Sequence, residues 1–259
     1  MIIHWNINPV IFHLGPLSIR WYGVLFATSF LIGFRIIQWI YRREGRSEDE
    51  LDSLFIYMFF GVLVGARLGH CLFYDPVYYL NHPIEILEIW EGGLASHGGA
   101  IGILTALYIY TRKQGRPSYL WILDRIVLPV ALAGCFIRIG NFFNSEILGL
   151  PTTRSWGVIF DRVDAIPRHP VQLYEAVAYA IIFAILVLLY KRPHNAEKRG
   201  FLLGVFLVLV FFARFMLEFL KTRQAAYEAN MTLSVGQWLS VPFVLLGIWL
   251  AVRATRNHS

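Results

Sequence analysis

Three arginines, Arg67, Arg138 and Arg214, stand inside stretches of the chain that are otherwise apolar. A guanidinium keeps its charge when desolvated and presents planar, paired donors that match the oxygens of a phosphodiester. Few carboxylates share those stretches, so the arginines leave positive charge for an anionic ligand to complete. Arg214 has a structural alternative in an ion pair with Glu218, one helical turn on, whereas Arg138 has no such neighbour. Arg138-Ile139-Gly140-Asn141-Phe142-Phe143-Asn144 sets Arg138 and Asn141 three apart on one helix face, with Glu146 and Gly149 following where that helix should end. The same string could be an ordinary polar helix end capped by asparagine. Ser96-His97-Gly98-Gly99 puts an imidazole at a helix start among glycines, able when neutral to accept a proton. A lone histidine is more often packed or solvated than catalytic, so His97 gains meaning only in company.

The elements that must position these groups are membrane spans. Of the 259 residues 57% are hydrophobic and 15% charged, a balance that would leave a soluble domain with a large apolar surface. A spanning helix needs roughly 20 mostly apolar residues, and the sequence offers about seven such runs, near 20–41, 52–74, 96–111, 119–142, 170–190, 200–220 and 234–253. The third is short. The fold class read from this is an all-α membrane protein, a single integral-membrane domain over residues 1–259. The formal charge of +6 forms no basic stripe and points to anionic membrane lipid, with no nucleic acid as partner. Cys71 and Cys135 lie in apolar runs without a companion that would suggest a metal or redox site.

Short cytoplasmic loops carry the excess of Lys and Arg. Arg42, Arg43, Arg46, Arg112, Lys113, Arg116, Lys191, Arg192, Lys198, Arg199, Arg253 and Arg256 fall on one side. Arg20, Arg154, Arg162, Arg168, Lys221 and Arg223 fall on the other, a bias of about two to one that sets the N-terminus outside and the C-terminus in the cytoplasm. Arg35 and Arg125 lie near cytoplasmic ends, where a long side chain can snorkel to the headgroups. Residues 1–19 and 75–93 mix aromatic and polar residues in the manner of interfacial segments on the outer surface. Residues 143–169 form an outer loop too long to be a mere link. On this topology Tyr22, Arg67, Tyr74, His97, Arg138, Asn141, Gln172, Glu175, Arg214, Glu218 and Gln237 all fall toward the outer leaflet, as for a membrane-embedded site.

In these strings the chain resembles the prolipoprotein diacylglyceryl transferases over nearly its whole length. Ile19-Arg20-Trp21-Tyr22-Gly23, Gly65-Ala66-Arg67-Leu68-Gly69 and Gly93-Leu94-Ala95-Ser96-His97-Gly98-Gly99 look like the family's first-helix, second-helix and histidine motifs. Arg138 through Gly149 is similar to its signature, usually GRIGNFINGELWG, and Pro167-Arg168-His169-Pro170, Gln172-Leu173-Tyr174-Glu175 and Arg214 with Glu218 follow in the expected order. Ile137 and Ser145 replace glycines of the signature, Ile147 a leucine and Leu148 a tryptophan, while Val210 and His70 stand where tyrosine is common.

The resemblance implies a multi-pass enzyme of the bacterial cytoplasmic (inner) membrane with its active site facing the outer leaflet. It implies phosphatidylglycerol as donor and, as acceptor, the lipobox cysteine in the signal peptide of a preprolipoprotein. The products would be a thioether-linked diacylglyceryl cysteine and glycerol 1-phosphate. The resemblance supports His97, Arg138 and Arg214 as important but leaves the base unsettled; His97 is assigned as the candidate base and Arg138 and Arg214 as the phosphate clamp. Tyr22, Asn141, Asn144, Glu146, Gly149 and Glu218 orient the headgroup or fix the arginines, and Arg67 holds phosphate or a helix contact. No cofactor or metal is called for, and a monomer is expected. Leu132-Ala133-Gly134-Cys135 is lipobox-like but lies inside a span, far from any N-terminal signal segment. The rival from another class is a transporter for an anionic solute, which would carry polar residues through to the cytoplasmic side.

Overall fold

The computed structural model describes residues 3–15, 17–88, 93, 95–223 and 231–256. Every one of the apolar runs is helical, because in hydrocarbon the backbone must satisfy its own polar groups and a helix does so within one segment. In chain order the strands and helices are β1 (Ile3–Trp5), β2 (Val10–Leu14), β3 (Leu17–Arg20), α1 (Trp21–Arg43), α2 (Glu48–Phe73), α3 (Pro76–Asn81), α4 (Ser96–Thr111), α5 (Tyr119–Asn144), β4 (Val158–Phe160), β5 (Pro167–Arg168), α6 (Val171–Lys191), α7 (Pro193–Glu197), α8 (Phe201–Glu218) and α9 (Val235–Arg256). A 3-10 turn, Pro83–Leu87, follows α3. Among the described residues α1, α2, α5, α6, α8 and α9 are long and apolar enough to cross a membrane, which makes the chain a multi-pass helical membrane protein. The expected third span, α4, has 16 residues, about 24 Å of helix against a hydrocarbon core of roughly 30 Å.

The chain divides into two compact units, residues 38–122 and residues 1–37 with 123–259. In the first, α2 and α4 touch backbone to backbone. A Cβ on Gly69 would lie 2.7 Å from Gly98 Cα, and one on Gly102 2.8 Å from Gly65 Cα, so only glycine permits this approach. Tyr110 on α4, fully buried, donates to the Glu50 carbonyl at 3.0 Å and closes the other end of the pair. The Ala95 amide donates to the Ala66 carbonyl at 2.9 Å, which fixes where α4 begins.

In the second unit α8 and α9 cross closely at Gly204 and Gly247, and Phe211 stacks on Phe243 at 4.4 Å. Gly200, with φ +90°, precedes α8, and the buried carboxylate of Asp124 on α5 accepts from the Gly200 amide at 2.6 Å and the Leu203 amide at 2.8 Å. A side chain 76 residues away in sequence thus does the work of an N-cap. Arg125 is buried rather than snorkelling, because its Nη2 donates to the Ala196 carbonyl at 2.9 Å.

Residues 1–19, read as an interfacial stretch, contain strands. β2 and β3 form an antiparallel hairpin, and β1 runs parallel to β4 in the three-stranded order β1-β4-β5. Trp5 packs on Phe142 with ring centroids 4.3 Å apart, beside the buried Val158 and Phe160. The N-terminal strand and the long loop after α5 therefore share a small core that covers the end of α5.

Candidate active site

The last turns of α5 carry the signature residues of the second unit. Arg138 points to α6, where its Nε lies 3.0 Å from Glu175 Oε2, with 14% and 1% of the two side chains exposed. Arg138 has no acidic residue one turn away on its own helix, and its partner comes from another helix. Asn141, on the same face, stands 3.4 Å from an Arg138 Nη through its carbonyl oxygen and donates through Nδ2 to Glu146 Oε1 at 2.7 Å. Asn144 donates to the same oxygen at 3.2 Å, and Gln172 Nε2 donates to the Glu146 carbonyl at 2.7 Å. Tyr22 lies against Gly140, where a Cβ would come within 2.8 Å of its ring.

The turn that follows is held from several sides. Ser145 and Ile147 take left-handed backbone conformations, φ +56° and +57°. Arg162 donates to the Phe143 carbonyl at 2.7 Å and to Ser145 Oγ at 2.8 Å. Gly149 has no room for a side chain, because a Cβ would lie 2.6 Å from Val171 and 2.8 Å from His169. Its carbonyl accepts from Arg168 at 3.2 Å, and the Arg168 guanidinium also binds Asp164, which holds that carboxyl below the ordinary aspartate range.

At the end of α8, Glu218 does not pair with Arg214. Its Oε2 takes Lys221 Nζ at 3.1 Å, and Lys221 reaches Glu175 Oε1 at 2.8 Å. Lys221 and Glu175 are both buried. Arg214, half-buried, has no hydrogen-bond or ion-pair partner among the described residues, and Tyr179 lies within electrostatic range of it, of Arg138 and of Glu175. The expectation of unbalanced positive charge is thus narrowed. Arg138, Arg214 and Lys221 are matched in number by Glu146, Glu175 and Glu218, and of these cations Arg214 has no ion-pair partner among the described residues.

Arg67 and His97 belong to the other unit. Arg67, 4% exposed, donates through Nε to the Ile86 carbonyl at 2.9 Å and through Nη2 to the Glu85 carbonyl, and its guanidinium lies 5.1 Å from the Tyr79 ring centre. Gly93, at φ +66°, sits where a Cβ would meet Arg67 Nη1 at 2.9 Å and His70 Nε2 at 2.7 Å. His97 is exposed on the first turn of α4. Reading the sequence alone left Lys221 in an outer loop and gave Glu175 no partner. The 4 and 3 spacing of Arg214, Glu218 and Lys221 was the available signal.

A family model described as prolipoprotein diacylglyceryl transferase matches residues 9–253. The chain is similar to a phosphatidylglycerol–prolipoprotein diacylglyceryl transferase of Tolumonas auensis, 56% identical with 99% of each chain covered. It is also similar to proteins of the same name from Chloroherpeton thalassium, 54% identical over 98% of this chain and 95% of that one, and from Bacteroides fragilis, 46% identical over 95% and 93%.

Proposed function

The chain belongs to the prolipoprotein diacylglyceryl transferase family, and from that premise we propose that it moves the diacylglyceryl group of phosphatidylglycerol onto the lipobox cysteine of a preprolipoprotein. The cysteine sulfur attacks the glycerol carbon that bears the phosphate. The C–O bond breaks as the C–S bond forms, the thiol proton leaves, and the phosphate departs as glycerol 1-phosphate. The phosphodiester carries one negative charge and the departing monoester approaches two, so charge grows at phosphorus during the step. Groups that meet this growth bind the transition state better than the lipid and so raise the rate.

The observation that carries the reading is the half-buried Arg214 with no hydrogen-bond or ion-pair partner among the described residues, alongside an Arg138 whose pose Glu175 sets. We assign these two guanidiniums to the phosphate, with Tyr22, Asn141, Asn144, Glu146, Gly149 and Glu218 shaping the headgroup site. His97 is the proposed proton acceptor, on the strength of its exposure at the glycine-rich start of α4. Arg67, engaged with backbone carbonyls, is the weakest of the proposed lipid contacts. The Lys and Arg distribution supports an N-terminus outside and a C-terminus in the cytoplasm, so the site would open to the outer leaflet of the inner membrane.

The test uses purified chain in phosphatidylglycerol vesicles with a lipobox peptide, reading peptide mass and released glycerol phosphate. A diacylglyceryl mass gain with equimolar glycerol phosphate is expected, lost when the peptide cysteine is replaced by serine. No mass gain where a relative works under the same conditions contradicts the assignment.

A further inference from the structure

We propose that Lys221 is a positioning residue of the transfer step, acting on Arg138 through the buried carboxylate of Glu175; the proposal rests on the transferase reading above. Lys221 follows α8 and has 6% of its side chain exposed, yet its ammonium meets two carboxylates, Glu175 at 2.8 Å and Glu218 at 3.1 Å. Glu175 in turn touches Arg138 at 3.0 Å. A chain of four charges, Glu218, Lys221, Glu175 and Arg138, thus links α8 and the segment after it to α6 and α5. The main chain ties the same residue to the signature turn. Lys221 bridges Gly149, the Leu150 amide donates to the Leu220 carbonyl at 2.7 Å, and the Thr222 amide donates to the Leu148 carbonyl at 3.0 Å. One residue therefore holds the turn by its backbone and the arginine's counter-ion by its side chain.

Charge says why this matters beyond packing. Arg138 and Lys221 are the cations that meet Glu175 and Glu218, while Arg214 has no ion-pair partner among the described residues. Without the ammonium, the buried Glu175 and the half-buried Glu218 lose their shared cation, and the added negative charge repels the lipid phosphate while drawing Arg138 onto Glu175. Lys221 is therefore needed for Arg138 to face a ligand. It does not itself have to touch one.

The experiment compares wild type, Lys221→Arg and Lys221→Gln in phosphatidylglycerol vesicles with a lipobox peptide, measuring kcat and peptide KM. Lys221→Gln keeps a hydrogen-bond donor without the charge, and its kcat should fall on the order of 10²-fold with little change in peptide KM. Lys221→Arg should stay within about tenfold of wild type, since it restores the charge. Wild-type kcat in folded Lys221→Gln overturns the proposal. So does a loss equal in both variants, which is the mark of packing alone. If Lys221→Gln does not fold, Lys221→Met is the neutral variant and the same readings apply. Failure of wild type to transfer would overturn the transferase reading itself, and this inference with it, whereas a wild-type-like variant leaves that reading standing.

Discussion

Arg67 Nε donates to the Ile86 carbonyl at 2.9 Å, binding the C-terminal part of the spanning helix α2 to the 3-10 turn that follows α3. A buried guanidinium satisfied by carbonyls is a clamp, and lysine, a compact point charge without the planar fork, cannot reproduce it. Arg67→Lys should therefore raise hydrogen exchange across residues 76–88 and destabilise the fold by about 1–3 kcal/mol. If Arg67 instead held the lipid phosphate, the exchange pattern would stay as in wild type and only the response to phosphatidylglycerol concentration would change.

Ser145, the residue after α5, holds a left-handed conformation that glycine adopts without strain. An L side chain there costs about 1–2 kcal/mol, offset in part by the Oγ that accepts from Arg162 at 2.8 Å. Ser145→Gly should thus keep activity and change thermal stability little. Ser145→Val, which adds a branched side chain and removes the acceptor, should lower stability by roughly 2 kcal/mol or more in detergent melts. Equal melting of the two variants would contradict the strain assigned to this residue.

The Asp164–Arg168 pair gives the outer loop an acid dependence. Hydrogen bonds from Arg168 lower the Asp164 pKa, so the folded loop binds its proton less readily than the unfolded chain. The stabilisation is complete above the ordinary aspartate value, about 3.9, and is lost as pH falls through the depressed folded value. Protease cleavage within residues 154–166 should accelerate at the acid end of that window in wild type. In Asp164→Asn cleavage should already be faster at neutral pH and respond less to acid.

The helices were legible because hydrophobicity over about 20 residues is a signal that tertiary context does not override in hydrocarbon. The strands were not. β1 has three residues, and its partner β4 lies about 150 positions away, so neither period nor turn chemistry announced the pair. The site shows the same division. Arg138, Asn141 and Glu146 were visible because their spacing is local, and the asparagine and the glutamate do meet at 2.7 Å. Helical spacing also suggested Arg214 with Glu218, but Lys221 takes that carboxylate, and Arg138 finds Glu175 on another helix. Pairs made across helices depend on how the helices are rotated, which spacing within one helix does not encode.

The most direct measurement is the turnover of folded Arg214→Ala, with wild type beside it, in phosphatidylglycerol vesicles with a lipobox peptide. Removing a guanidinium that has no hydrogen-bond or ion-pair partner among the described residues should lower kcat by about 10²–10³-fold, while peptide KM changes little, because the lost interaction grows only as the phosphate departs. Transfer at the wild-type rate by the folded variant would contradict the assignment of Arg214 to the leaving phosphate.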